Sequence, residues 1–292
     1  KINKLAKTGY LTGAELKGKD GSLTVASKVS DIEGFSAGGA FNITSGSNSV
    51  DVTVTEDTTI SDVLNKLKEA GVNASFDAKN QRFFVSASAS GLDSDFSITA
   101  SDSAGDAALS LLGLKTKIGS GEGEDNATYK KYAELAAFYV EGDKSATLDK
   151  INADGRITNA INSRVNSYLE QYKSLLSSRD SASQMKDLTD NYIDVTSTTD
   201  ADGKVTYSAT AKAALTAEVE DSYYNSVQYA AKVIADGSAS GGATKVSGQD
   251  AEIVLNGATF TGNTNVFEIN GLTSSMKWTS CTMRILPRAM SL

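Results

Sequence analysis

The chain has 292 residues, more than the roughly 100–200 of a usual single domain, and 40% of them are hydrophobic, so two or three cored domains are expected. A net charge of −8 and a pI near 4.8 argue against nucleic acid and anionic membrane surfaces as partners, because both are held by clustered Lys and Arg. The absence of histidine removes Ser-His-Asp and Cys-His nucleophile pairs and His-ligated zinc, and the single cysteine, Cys281, removes any intrachain disulfide framework.

In chain order, the first 30 residues, with LTVASKV at 23–29, are expected to be extended. FNITSGSNSVDVTVT at 41–55 predicts a hairpin: Phe41 and Ile43 alternate with polar residues, GSNS turns, and Val50, Val52 and Val54 alternate again. Thr58 or Thr59 then offers an N-cap with Asp62 in the first turn. Ile60, Val63, Leu64 and Leu67 fall on one helical face, and Gly71 suits the left-handed position that ends a helix. Ala74 and Phe76, a turn at DAKNQ, then Phe83, Val85 and Ala87 predict two strands, and DFSITA at 95–100 a third. The expectation is one helix laid across a single small, mostly antiparallel sheet.

Residues 113–128, with Gly119, Gly121 and Gly123, are expected to form a linker. Three apolar stripes follow at helical spacing: Tyr129, Tyr132, Ala133, Ala136 and Val140; Ile157, Ile161, Val165, Tyr168, Tyr172 and Leu175; and Leu215, Val219, Tyr223, Val227, Ala230 and Ile234. They predict three helices packed as a bundle, with STTDADGKVTYSAT at 197–210 as a turn with short extended flanks. After the Gly-rich break DGSASGGATK at 236–245, GQDAEIVLNGATFTGNTNVFEINGLT predicts strands, with Asn256-Gly257 as a two-residue hairpin turn. The last stretch gathers Trp278, Cys281, Pro287, Met276, Met283 and Met290, none of whose types except Met occurs earlier. This tail is expected not to be native, a frameshifted or appended end rather than a signal.

No chemistry assembles from these residues. KINADGRITNAI at 150–161 and TTDADGKVTYSA at 198–209 have the spacing of calcium loops through Asn152, Asp154, Asp200 and Asp202. They lack the first ligand (Lys150, Thr198) and the closing glutamate (Ile161, Ala209), so both are expected to be Asx-type turns. The acids Glu122, Glu124, Asp125, Glu218, Glu220 and Asp221 form no isolated pair and are expected on solvated faces. Ten tyrosines from Tyr129 to Tyr229 are expected mainly in helical packing, with Tyr224 as an exposed candidate for partner contact. There is no phosphate loop, no Rossmann fingerprint, no apolar run near the roughly 18 residues of a membrane span and no cleavable leader pattern. Catalytic, cofactor and metal sites are expected to be absent, and partner-binding residues are not assigned; a hydrolase using only two carboxylates is the enzyme class left open.

Three segments carry a resemblance to a known family. TTISDVLNKLKEAGVNASFDAKNQRFFVSASASG at 58–91 resembles a module of flagellar hook-associated proteins and flagellins. KINKLAKTGYLTGAEL at 1–16 and GQDAEIVLNGATFTGNTNVFEINGLT at 248–273 are similar to segments of flagellar hook-associated protein 2, the filament cap family, and occur in that family's order. The resemblance implies an internal head-domain fragment of a cap, without the terminal helices that grip the filament. The fold expected is α+β, small antiparallel-sheet domains, one of them discontinuous, with a helical-bundle insertion. Residues 1–36 and 245–273 would make the discontinuous β-rich domain, 37–112 the shared α+β module, 113–244 the helical insertion and 274–292 the atypical tail. The implied function is structural: promoting flagellin polymerisation at the distal tip of the bacterial flagellum, with flagellin and other copies of itself in a ring as partners, and host glycan or mucin as an adhesive target. The implied location is extracellular, reached through the flagellar secretion apparatus without a cleaved signal peptide. A flagellin-like filament outer domain and a surface adhesin module remain the alternatives.

Overall fold

The computed structural model describes residues 1–119, 125–177, 181–236, 241–269, 272–275 and 284–286. In chain order the strands and helices begin with β1 (Ile2–Lys4), β2 (Thr8–Thr12), β3 (Gly39–Ser45), β4 (Asn48–Val54), α1 (Ile60–Glu69), β5 (Asn73–Asp77), β6 (Arg82–Ser90) and β7 (Phe96–Ala100). There follow α2 (Ser103–Leu111), α3 (Asn126–Ala136), α4 (Lys144–Ala153), α5 (Arg156–Leu175), α6 (Ala182–Asn191), β8 (Ile193–Thr199), β9 (Val205–Ala211) and α7 (Ala213–Ala235). The chain closes with β10 (Thr244–Val246), β11 (Ala251–Leu255), β12 (Ala258–Gly262), β13 (Val266–Ile269), β14 (Leu272–Ser275) and β15 (Arg284–Leu286). The fold is α+β, and it divides into two compact units: residues 1–134 with 232–292, and residues 135–231.

In the first unit, α1 starts where its sequence dictates. The Thr59 hydroxyl accepts from the Asp62 N–H at 3.1 Å, and the Asp62 carboxylate accepts from the Thr59 N–H at 2.9 Å, closing a reciprocal cap. Ile60, Val63, Leu64 and Leu67 are all buried, and Gly71, at φ +90°, ends the helix. The strands around it do not form the single sheet expected. They separate into β4-β3-β7 and β10-β2-β6-β5, and α1 packs against both β4 and β5. The second sheet is completed from outside the 41–100 segment: β2 pairs with β6 (Leu11 opposite Val85) and β10 pairs with β2 (Lys245 opposite Leu11).

Other differences have local causes. Residues 24–27 form a turn rather than a strand, held by the Thr24 N–H donating to the Ser27 hydroxyl, and a 3-10 turn follows at Val29–Asp31. Helix α2 has no counterpart among the expected elements; Asp102 caps it through the Gly105 N–H, and it lies backbone-to-backbone on β3. A Cβ on Gly105 would sit 2.0 Å from the Ala40 carbonyl oxygen, so only glycine permits that approach. At the closing end, β11 and β12 form a hairpin through Asn256 (φ +51°) and Gly257 (φ +82°), and β1 pairs on the far side of β11. Strands β13, β14 and β15 make a further antiparallel sheet. The tail residues Met276, Trp278, Cys281, Met283, Pro287 and Met290 lie outside the described residues.

The second unit has its own core of Ile151, Ile157, Val165, Ile193, Leu215, Val219 and Val227. It is not a helical bundle alone. Helices α4, α5 and α6 and most of α7 are joined by the β8–β9 hairpin, which packs on α5 through β9. The apolar stripe of α5 therefore meets a strand as well as helices: Tyr172 approaches Tyr207 of β9, with ring centroids 6.2 Å apart. The first expected stripe divides, since α3 ends at Ala136 and Val140 lies in the following turn, where its N–H donates to the Thr147 hydroxyl. Among the described residues no helix is long and apolar enough to cross a membrane.

Candidate functional site: a buried ionic cluster and an aromatic sheet face

Both calcium-like stretches are occupied by local structure. Asp154 ends α4 and pairs with Arg156, Asn152 accepts from the Thr158 hydroxyl, and Gly155 turns the chain into α5. Asp200 spends its carboxylate on the N–H groups of Asp202 and Lys204, an Asx turn at the tip of the β8–β9 hairpin. Among the described residues no three His, Cys, Asp or Glu side chains converge as metal ligands.

The tyrosines of the second unit are engaged in packing. Tyr168 and Tyr192 stack with centroids 4.7 Å apart. Tyr224, expected to be exposed, is half-buried beside the Lys144 ammonium, 5.5 Å from its ring centroid. Lys144 also pairs with Asp221, and Arg164 pairs with Glu218, tying α4 and α5 to α7; these acids do lie on exposed faces. Each carboxylate raises the pKa of its cation. In the first unit the Tyr132 hydroxyl, buried, accepts from the Ala100 N–H of β7 at 2.8 Å, and burial raises its pKa to about 12.

One sheet face of the first unit presents aromatic surface to solvent. Alternation along β2 and β6 turns Leu11, Phe83 and Val85 inward and Tyr10 and Phe84 outward, 48% and 38% exposed. Between these two rings, over Asn73, Ser75 and Ser86, lies an open depression of about 280 Å³. It offers ring faces, hydroxyls and one amide and no charge, a surface suited to contact rather than to bond breaking.

The most distinctive chemistry is buried. The Lys245 ammonium of β10 lies 3.1 Å from both Asp95 carboxylate oxygens and 3.1 Å from Asp125 Oδ1. The three side chains are 1%, 6% and 1% exposed. Asp125 is thus the reverse of the solvated acid expected, and among the described residues before it Leu114, Thr116 and Ile118 are buried as well. Its oxygens accept from the Thr116 hydroxyl (3.0 Å), the Thr128 hydroxyl (2.7 Å) and the Thr128 N–H (3.1 Å), the last making it the cap of α3. Asp95 accepts from the Phe96 N–H (2.9 Å) and the Gly248 N–H (3.0 Å), and the ammonium sits 4.8 Å from the centre of the Phe96 ring. A Cβ on Gly9 would stand 2.1 Å from Asp95 Oδ1, so glycine in β2 makes room for the carboxylate. Every oxygen of the cluster is satisfied, as burial of charge requires. Glu122 and Glu124 lie outside the described residues.

No protein-family model matches the chain, and no curated protein matches it. Among solved structures, the flagellar cap protein FliD from Helicobacter pylori aligns over 98% of this chain and 96% of that one, at 11% identity and a TM-score of 0.33.

Proposed function

We propose that this chain is the head region of a flagellar filament cap, a structural protein that promotes flagellin polymerisation at the distal tip. The observation that carries the reading is how the three family-like segments meet. Residues 1–16, 58–91 and 248–273 all lie in the first unit, and they pair directly: Ile2 opposite Ile253, and Leu11 opposite Val85. The three segments that carry the resemblance thus lie together in one folded body. The depression between Tyr10 and Phe84 supports an assembly role because its lining is uncharged and open.

On this reading the partners are flagellin and further copies of the chain, and the route outward is the flagellar secretion apparatus. Deleting the coding sequence should leave cells that release unpolymerised flagellin into the medium and bear no filaments, with restoration on complementation. Filaments that persist with only an altered surface would instead identify a flagellin-like outer domain.

A further inference from the structure

We infer that Asp95, Lys245 and Asp125 form a closure lock: one buried ammonium that simultaneously fixes the outgoing and the returning chain of the first unit on the loop before β7. Asp125 caps α3, the helix in which the chain leaves this unit after residue 134, and Lys245 lies just after the chain comes back at 232. Beside them, Thr116 and Ala243 bridge in parallel, and the Ala243 N–H donates to the Lys115 carbonyl at 3.0 Å. The Gly248 N–H closes the returning stretch on Asp95, 153 residues away in sequence.

The three charges make this docking all-or-none. β10 has only three residues and one pairing partner, so its backbone hydrogen bonds alone specify its register weakly. Moving it by one residue would turn Lys245 to the opposite face and abandon two carboxylates in the interior. Removing one partner of a buried, hydrogen-bonded charge set is far more costly than the net worth of the set. The outgoing and returning chains are therefore held or released together.

The test is amide hydrogen exchange followed by mass spectrometry on the full chain. Lys245→Met keeps the unbranched stem and removes the charge, so a role in packing alone would tolerate it. The lock predicts that residues 113–118, 125–131 and 243–249 lose protection together, by about 100-fold or more, while β3, β4, α1 and the second unit keep theirs. Asp125→Asn and Asp95→Asn each leave one carboxylate against one ammonium, and the same segments should accelerate by only about 10-fold. Unchanged exchange in Lys245→Met, or acceleration confined to 243–249, would overturn the inference. Should Lys245→Met not fold, the two Asn variants decide it: joint acceleration of 113–118 and 243–249 supports the lock, and acceleration in neither or in only one segment refutes it.

Discussion

Tyr132→Phe tests whether α3 is fastened to β7 by one buried hydroxyl. The Tyr132 side chain is 4% exposed and its oxygen takes the Ala100 N–H at 2.8 Å. Phenylalanine fills the same space but leaves that N–H without an acceptor, which costs about 1–3 kcal/mol at neutral pH. The same burial raises the phenol pKa from 10.0 to about 12. A raised folded-state pKa gives stability that is complete below the unfolded value and lost as pH climbs through the folded one. Between pH 10 and pH 12 the wild-type chain should therefore lose about 2 kcal/mol through this group alone, the slope approaching roughly 1.4 kcal/mol per pH unit midway. Tyr132→Phe should lack that loss, so the stability difference between the two proteins narrows as pH rises. Urea unfolding at pH 7 and pH 11.5 measures the stabilities, and absorbance of tyrosinate near 295 nm follows the ionisation. If the variant removes a phenol that titrates near 10, or if the stability difference is the same at both pH values, the buried hydrogen bond is not the fastening described.

Leu67→Ala empties a fully buried site on α1 between two sheets that are each tied elsewhere; a loss of about 4 kcal/mol is expected, in the upper part of the range for such sites, read by urea unfolding. Thr59 bonds lower the Asp62 pKa, the side-chain bond first and the backbone bond second, so the cap contributes above the unfolded value of 3.8 and fades as pH falls through the folded one. Thr59→Ala should accordingly be more destabilising at pH 6 than at acid pH where the Asp62 carboxylate is protonated, the remaining cost at acid pH being the lost bond from the Asp62 N–H to the Thr59 hydroxyl, as followed by circular dichroism. Gly257→Ala places a side chain at φ +82° in the closing hairpin and should cost about 1–2 kcal/mol, with Asn263→Ala in the following loop as an exposed comparison near zero.

Residues 41–100 were legible because their signals are local. Thr59 and Asp62 cap within three residues, Gly71 stops the helix, and alternation in β3, β4 and β6 reports burial directly. The division into two sheets was not legible, since β2 and β10 reach β6 only through contacts far apart in the chain. Helix α2 was hidden because SAGDAALSL is built from small residues and carries a glycine at its closest contact; its one signal was Asp102 at the cap. Asp125 shows the same limit for the buried cluster. Beside Glu122 and Glu124 it looks like part of a solvated acidic run, and only Lys245, 120 residues on, explains its burial. The paired fate of Asp95 and Lys245, 150 residues apart, leaves no periodic trace. In the second unit the α5 and α7 stripes marked both helices correctly, whereas the hairpin that shares their core appears in sequence only as a polar turn with short flanks.

The central claim, a structural protein at the growing end of the flagellar filament, is met most directly by immunogold electron microscopy of the cells that make this chain, with antibody against residues 1–273. Gold confined to filament tips is the result predicted. Gold distributed along the filament shaft would contradict it and make the chain a filament subunit instead.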